Sequence, residues 1–377
     1  MFLDKQPQAQ IDCYKRLLKA VGSLSNLFSE SPEPYLAPRA TENLFCKAFE
    51  ADNHSRSDTS ADATKGKIGL GIKTFLDGNG KTMQKIAEFN GDHSMFNSLP
   101  LDKKIKKIAE LRNERITTTK RIYGLNDIIY HCIIRRTGKI IVYEEIMPLI
   151  DISRIKDIKS NTKGSAIKFS DNNADYSFNN SKSTLYKRFV TPNKTLLNVP
   201  VRILSDPFST IEKLVSDIGL IFAPVRVQPH IFLPLYSIKK DEKIVPEKSG
   251  LNQWNASGRP RDINEIYIPI PSWINKKFSN FFPPRDKVFE LTLPDRTIMK
   301  AKVCQDNSKA LMSNPNSALG KWLLRDILNL KEKELLTYEK LQMIGLDTVV
   351  IYKIDHDHYD IDFTSIDSYE NFKNDNI

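Results

Sequence analysis

Cysteine is scarce in this chain. Four occur in 377 residues (Cys13, Cys46, Cys132 and Cys304), with no CxxC pair and no histidine at zinc-ligand spacing. That pattern argues against a disulfide framework and against a structural zinc, and it leaves reduced thiols in a cytoplasmic protein as the expectation. Long apolar runs are missing too. No stretch of about 18 apolar residues is present to cross a bilayer, and the opening MFLDKQPQAQ has no apolar core of a signal peptide. Tryptophan is rare: Trp254, Trp273 and Trp322 all lie beyond residue 250.

What is present describes a globular chain. Hydrophobic residues make up 40% of it, enough for ordinary cores, and the length suits two domains. Fifty-six basic residues against 46 acidic ones leave a net charge of +10. That excess invites a polyanion, although many soluble proteins carry as much.

The first half mixes helix and strand patterns. An amphipathic stretch, Ile11–Phe28, places Leu17, Leu18, Val21, Leu24 and Leu27 at near-helical spacing. A loop and a second helix over Glu42–Phe49 follow, then a polar segment, Asp52–Thr64, and a β-branched run, Ile68–Phe75. Asp77-Gly78-Asn79-Gly80 is a turn. The residue types then predict a helix over Thr82–Phe89 and a longer basic helix over Asp102–Ile116. Ile128–Arg135 and Lys139–Glu144 form a hairpin through Arg136-Thr137-Gly138, and Ala166–Phe169 with Asp175–Phe178 form another through Asp171-Asn172-Asn173. From about residue 191 to 225 the chain is Pro-punctuated, with one helix near Thr210–Ile218, and completes or links the first domain. Beyond it, short strands alternate with Pro, Gly and Asn turns, the pattern of a small β-rich barrel; the final residues, 366–377, are polar and are expected to fray.

The segment from Asp58 to Glu88 carries the most chemistry. Hydrolysis of a phosphodiester needs a divalent metal, carboxylates to hold it and a group to position the attacking water. Here Asp62 adjoins a strand that carries Lys73, with ten residues between them. Period-two geometry puts Lys73 and Gly71 on one face, and Gly71 stands where a second acid would be expected. On a helix antiparallel to the strand, Glu88 could swing its carboxylate into that space; Asp58 is an alternative to Asp62. Two rival chemistries fit less well. A phosphate-binding loop at Gly80-Lys81-Thr82 requires a glycine at the position of Phe75. A phospholipase-D-type nuclease requires an HxK pair, and none of the six histidines supplies one.

The stretches KTFLDGNGKTMQKIAEFN, IAELRNERI and YSFNNSKSTLYKRF, together with Asp62 and Lys73, resemble restriction endonucleases of the PD-(D/E)xK superfamily in a variant form. That form keeps the strand lysine and takes its second acid from the following helix, at a spacing slightly shorter than the fourteen residues between Lys73 and Glu88 here. The resemblance implies that Asp62 and Glu88 hold Mg2+, that Lys73 orients the water, and that Glu42 is an additional acid. It also implies hydrolysis of double-stranded DNA to 5′-phosphate ends, a homodimer or higher oligomer, and a cognate DNA methyltransferase in the same system.

Farther on, SGLNQW, EIYIPIP, FFPPRDKVFELTLPD, QDNSKALMSNPNSALGKWLLRDIL and GLDTVVIYKIDHDHYDIDF resemble, in order, the C-terminal B3-like domain of NgoFVII-type restriction endonucleases. Such domains are small seven-stranded pseudobarrels that clasp the major groove with two arms. Transferred to this sequence, the N-arm holds Asn252, Gln253, Trp254, Asn255, Arg259 and Arg261, and the C-arm holds Gln305, Asn307, Lys309, Asn314 and Asn316. Amides and guanidinium groups are the side chains that read adenine and guanine edges, but Asn, Ser and Gly also simply make turns. The expected architecture is therefore an α/β (α+β) nuclease core with a mixed central sheet over residues 1–225 and an all-β B3-like pseudobarrel over 226–365. The alternative is a DNA-binding regulator whose first domain is a degenerate nuclease.

Overall fold

The computed structural model describes residues 1–54, 59–162, 164–217 and 228–377; Asp58 and Ile218 lie outside the described residues. The chain divides into two compact units. The first comprises Met1–Ser55, Ser60–Ile116 and Leu125–Pro224, and the second comprises Val225–Ile377 with Arg56–Thr59 and Thr117–Gly124.

The first unit opens with α1 (Gln8–Ser23) and α2 (Pro38–Phe49), followed by β1 (Asp52–Asn53), β2 (Ala63–Lys65), β3 (Ile68–Leu76) and β4 (Lys81–Glu88). A short turn of helix, α3 (His93–Phe96), and the long α4 (Leu101–Ile122), whose residues from Thr117 on are counted with the second unit, lead into β5 (Asp127–Arg136) and β6 (Lys139–Ile146). Then come β7 (Lys156–Ser160), β8 (Ala166–Ser170), β9 (Asp175–Asn179), β10 (Thr184–Val190), β11 (Leu197–Pro200) and α5 (Pro207–Asp217). Two sheets result: one of six strands in the order β1-β2-β3-β5-β6-β11, and one of five in the order β4-β10-β9-β8-β7. The six-stranded sheet is mixed, because β3 runs parallel to β5 while the other pairs are antiparallel.

Side-chain alternation assigns each face of the mixed sheet. Leu70, Ile72, Ile129, Ile133, Ile140 and Val142 join Leu18, Leu44, Phe45 and Phe49 of the two N-terminal helices in one core. The opposite face meets the five-stranded sheet, where Phe189 of β10 lies 5.6 Å from Phe75 and 5.0 Å from Tyr130, ring centre to ring centre. Lys73 is one position away from Ile72, so it belongs to this second face with Gly71 and Phe75.

Three expectations are corrected. Lys81–Glu88 is a strand and not a helix: KTMQKIAE is rich in helix formers, but its backbone pairs along its length with β10, from Val190↔Lys81 to Thr184↔Glu88. Tertiary pairing outweighs a weak local propensity. The basic helix runs on to Ile122 instead of ending at Ile116. The last residues also do not fray, since Ser368–Asn376 form a helix in which Tyr369 is buried and Phe372 stacks on Phe278.

The second unit contains β12 (His230–Pro234), the hairpin β13 (Ser237–Lys239) and β14 (Glu242–Ile244), β15 (Ile268–Pro269) and α6 (Ser272–Lys277). Next are β16 (Val288–Thr292), β17 (Ile298–Cys304), β18 (Ala310–Ser313) and α7 (Ala318–Gly320), which continues as a π-helical turn over Lys321–Ile327. The unit ends with α8 (Tyr338–Ile344), β19 (Leu346–Lys353), β20 (His358–Ser365) and α9 (Ser368–Asn376). Seven strands form one sheet in the order β12-β19-β20-β16-β17-β18-β15, and its end strands return to each other's side in a nearly closed barrel. Among the described strands of this sheet, only β16 and β20 pair in parallel.

Candidate functional site

In the first unit the sheet edge at β2 and β3 gathers the expected acid and lysine. β2 begins only at Ala63, opposite Leu70, which leaves the later part of β3 unpaired on that side. Asp62, just before β2, fills the gap: its Oδ2 accepts the Ile72 N–H at 2.7 Å, and its own N–H donates to the Leu70 carbonyl at 2.8 Å. Burial pushes the Asp62 carboxyl above its ordinary range, against the pull of the Lys73 ammonium, the Ile72 N–H and the Arg39 guanidinium. Lys73 therefore stands within electrostatic reach of Asp62, as period and spacing imply.

Glu42 also reaches this edge. It sits on α2, paired with Arg39 at 3.1 Å and largely buried. The Cys46 thiol, one turn farther along α2, is pushed up to about 11 by burial and then by the charges of Glu42, Asp52 and Asp62. The charges of three carboxylates thus act on one thiol. Asp52 is the member that sequence reasoning missed, because β1 is two residues long and carries no readable strand pattern.

Glu88 is placed elsewhere. It closes β4 in the five-stranded sheet, bonds Lys85 at 2.8 Å and accepts from Asn90 at 2.5 Å, and its side chain is 42% exposed. With no helix after the turn, the geometry that was to carry it toward Lys73 is absent. The position opposite that expectation is tight: a Cβ on Gly71 would lie 2.7 Å from the Met147 methyl and 3.4 Å from the Tyr130 ring.

Among the described residues no group of three His, Cys, Asp or Glu side chains stands ready to cage a metal ion. Mg2+ does not require such a cage, since it usually keeps several waters and takes one or two carboxylates plus substrate phosphate oxygens. Asp62, a carboxylate held at an open sheet edge with one oxygen bonded to the backbone, is a donor of that kind.

The second unit presents its two groups of candidate residues differently. The N-arm residues are bound up in their own loop. Asn252, expected to touch DNA, is buried here, donates to the Pro246 and Leu336 carbonyls and accepts from the Leu336 N–H, which makes it a brace of its loop. Asn255 donates to the Glu247 carbonyl, and Arg261 donates to the carbonyls of Ala256, Ser257 and Arg259. Gln253 and Arg259 converge on Glu265, a buried carboxylate that the sequence did not flag. Trp254 is half-buried in the same loop, with no hydrogen-bond partner for its indole N–H.

The C-arm residues are free by comparison. Gln305, Asn307 and Lys309 occupy the loop from β17 to β18, where Gln305 and Asn307 adopt positive φ of 64° and 58°. Asn275 of α6 braces that loop by donating to the Asn307 and Ser308 carbonyls. Asn307 and Lys309, with Asn314 and Asn316 beyond β18, are exposed, and Gln305 is half-buried. Lys309 also lines a recess of about 440 Å³ with Tyr236, Tyr267 and Tyr369.

In a comparison with known families, residues 228–355 match the NgoFVII C-terminal B3-like DNA-binding domain. No curated protein matches the chain. The match begins just before β12 and ends just after β19, so it takes in six of the seven barrel strands and both arms. No described helix is long and apolar enough to cross a membrane.

Proposed function

We propose that this protein is a sequence-specific, Mg2+-dependent endonuclease of double-stranded DNA, in which the second unit reads the site and the first cuts. The observation that carries the reading half is the family match over residues 228–355, together with the seven-stranded barrel that those residues help to build. Free amides at Asn307, Asn314 and Asn316 are suited to adenine edges, and Lys309 to guanine or to phosphate. Gln253, Trp254, Asn255, Arg259 and Arg261 shape the opposite loop, where Arg259 is exposed enough to trade Glu265 for a base or a phosphate.

The cutting half rests on Asp62, anchored to the Ile72 N–H at the open edge of β3, with the Lys73 ammonium within electrostatic reach. Asp62, with Glu42 or Asp52 nearby, would hold Mg2+, which neutralises charge on the phosphate and lowers the pKa of a bound water. Lys73 contributes a positive charge beside the phosphate and a donor that orients the attacking water. The products are 5′-phosphate ends. Cutting both strands requires two such centres, hence a homodimer or sequential nicking, and a cognate methyltransferase would protect the host's copies of the site. A second reading, a DNA-binding regulator without cleavage, is favoured by one observation: Glu88 lies on a different sheet from Asp62 and Lys73.

The reading half is tested by selecting bound duplexes from a random-sequence library with the full chain. Enrichment of one short motif supports it. Recovery of sequences no different from the input would contradict it.

A further inference from the structure

The outer face of the five-stranded sheet carries a feature that neither the arms nor the Asp62–Lys73 edge accounts for. Pairing registers place Lys159 opposite Lys168, Lys168 opposite Ser177, Ser177 opposite Tyr186, and Tyr186 opposite Lys85. These five residues form one unbroken row across β7, β8, β9, β10 and β4. All lie on one face, because their chain neighbours Ile167, Phe169, Tyr176, Phe178 and Leu185 are buried on the other. The three lysines are exposed, and Ser177 and Tyr186 are half-exposed. The row spans about 19 Å, four inter-strand spacings of about 4.8 Å each.

The row runs against what stability alone would select. Like charges directly opposite on antiparallel strands are destabilising, and among the described residues neither Lys159 nor Lys168 has an ion-pair partner. The acids along the sheet are already engaged: Asp175 pairs with Arg188 at 3.0 Å, Glu88 pairs with Lys85 at 2.8 Å, and Asp157 of β7 accepts from the Ser170 hydroxyl at 3.0 Å. Edge protection explains a lysine on an outermost strand, so it accounts for Lys159. It does not account for Lys168, which sits on β8 between two paired strands. Every member of the row offers an N–H or O–H donor, and a run of donors with unbalanced positive charge is complementary to a chain of phosphates.

We infer that this row is a backbone-tracking surface for duplex DNA, through which the first unit holds the phosphates of its substrate without reading sequence. The inference rests on the functional reading above, and the test separates the two. Binding of the full chain, without Mg2+, is titrated by fluorescence anisotropy over a range of salt on a selected-site duplex and on a random one. The double variant Lys159→Ala/Lys168→Ala should lose about the same factor on both duplexes, and its log–log salt slope should become shallower by about 2, close to one unit per lost phosphate contact. The control Arg16→Ala/Lys19→Ala removes equal charge from exposed positions on α1 and should leave the slope unchanged. Lys159→Glu should weaken DNA binding while raising the melting temperature, because it sets an opposite charge against Lys168; a role in folding alone would not move the two in opposite senses. Parent-like slope and affinity in the double variant, or an equal effect in the control, overturn the row and leave the functional reading standing. A parent chain that binds neither duplex overturns that reading, and the row with it.

Discussion

The Asp62 carboxylate accepts the backbone N–H of Ile72 at 2.7 Å, which ties it to the strand residue immediately before Lys73. One oxygen is thereby fixed by the sheet. The Lys73 ammonium and the Arg39 guanidinium both act on the same group. A carboxylate that is half-buried, backbone-anchored and flanked by a lysine is preorganised to bind something cationic at an open edge. It also carries a cost that an uncharged residue would avoid.

That cost is measurable. The folded-state pKa of Asp62 is raised, so below the ordinary carboxylate range the group is protonated in both states and no penalty arises. As pH rises through that range, charge is forced into the folded site and stability falls. Asp62→Asn should therefore melt higher than the parent at neutral pH, lose the advantage in acid, and lose all cleavage. Scanning calorimetry at several pH values, alongside a nicking assay, checks both halves.

Lys73→Ala should lower cleavage by about a hundredfold or more, the scale on which removing one preorganised transition-state donor acts, while DNA affinity stays at the parent value. Glu88→Ala is informative by contrast. With Glu88 bonded to Lys85 and Asn90 on the other sheet, its removal should leave cleavage near the parent rate. Rates measured on one plasmid substrate compare the two variants directly.

Buried in the first unit, the Tyr14 hydroxyl lies 2.8 Å from His131 Nε2, and His131 Nδ1 lies 2.9 Å from Glu144 Oε1. The Leu3 N–H donates to the other Glu144 oxygen at 3.2 Å. The grouping looks catalytic, but the His131 and Glu144 side chains are fully buried and meet no substrate-accessible surface. Its role is to lock α1 and the N-terminus onto β5 and β6. Glu144→Ala should cost about 3–5 kcal/mol of stability, as removing one partner of a buried pair does, with cleavage per folded molecule unchanged. Urea unfolding measures the loss.

The two arms should respond differently to truncation. Asn252→Ala removes a buried brace between Pro246 and Leu336 and should destabilise the second unit by about 1–3 kcal/mol. Asn307→Ala should leave the melting temperature alone and weaken specific binding by about 1–3 kcal/mol if it reads a base. Paired melting and binding titrations distinguish a loop-building amide from a base-reading one.

A glycine supplies a sharper structural test. A Cβ on Gly320 would fall 2.0 Å from the Asn264 carbonyl oxygen, a backbone atom that cannot step aside cheaply. Gly320→Ala should thus destabilise the second unit by about 3 kcal/mol or more, with site-specific binding lost as that unit unfolds. Circular dichroism melting of the variant reports it.

Much of the first unit could be read from residue order. β3 followed from its β-branched run, and the β5–β6 hairpin from a turn in which Gly138 takes a φ of 74°. The β8–β9 hairpin followed from Asp171, whose side chain accepts from the Asn173 and Ala174 N–H groups. β4 was not legible, because Lys, Met, Gln, Ala and Glu favour helix locally and only pairing with β10 makes them a strand. The same error misplaced Glu88. At the site, closeness in the chain put Asp62 beside the strand that carries Lys73, but nothing in DNHSRSDTSAD marks Asp52 as a third acid whose charge acts on Cys46. In the second unit the arm residues come from the resemblance, since amides, serines and glycines also simply make turns, and residue order does not tell which amides hold the loop and which face outward. Glu265 decides that for the N-arm, and a lone glutamate between Asn264 and Ile266 gives no sequence signal of being a hub.

The most direct test of the central claim, that one chain both reads and cuts DNA, is incubation of the purified protein with unmethylated phage DNA, with and without Mg2+, resolved on a gel. Discrete fragments with 5′-phosphate ends in Mg2+ alone, absent for Lys73→Ala, are the predicted result. Intact DNA in Mg2+ from a preparation that still binds a selected site would contradict it and establish the chain as a reader that does not cut.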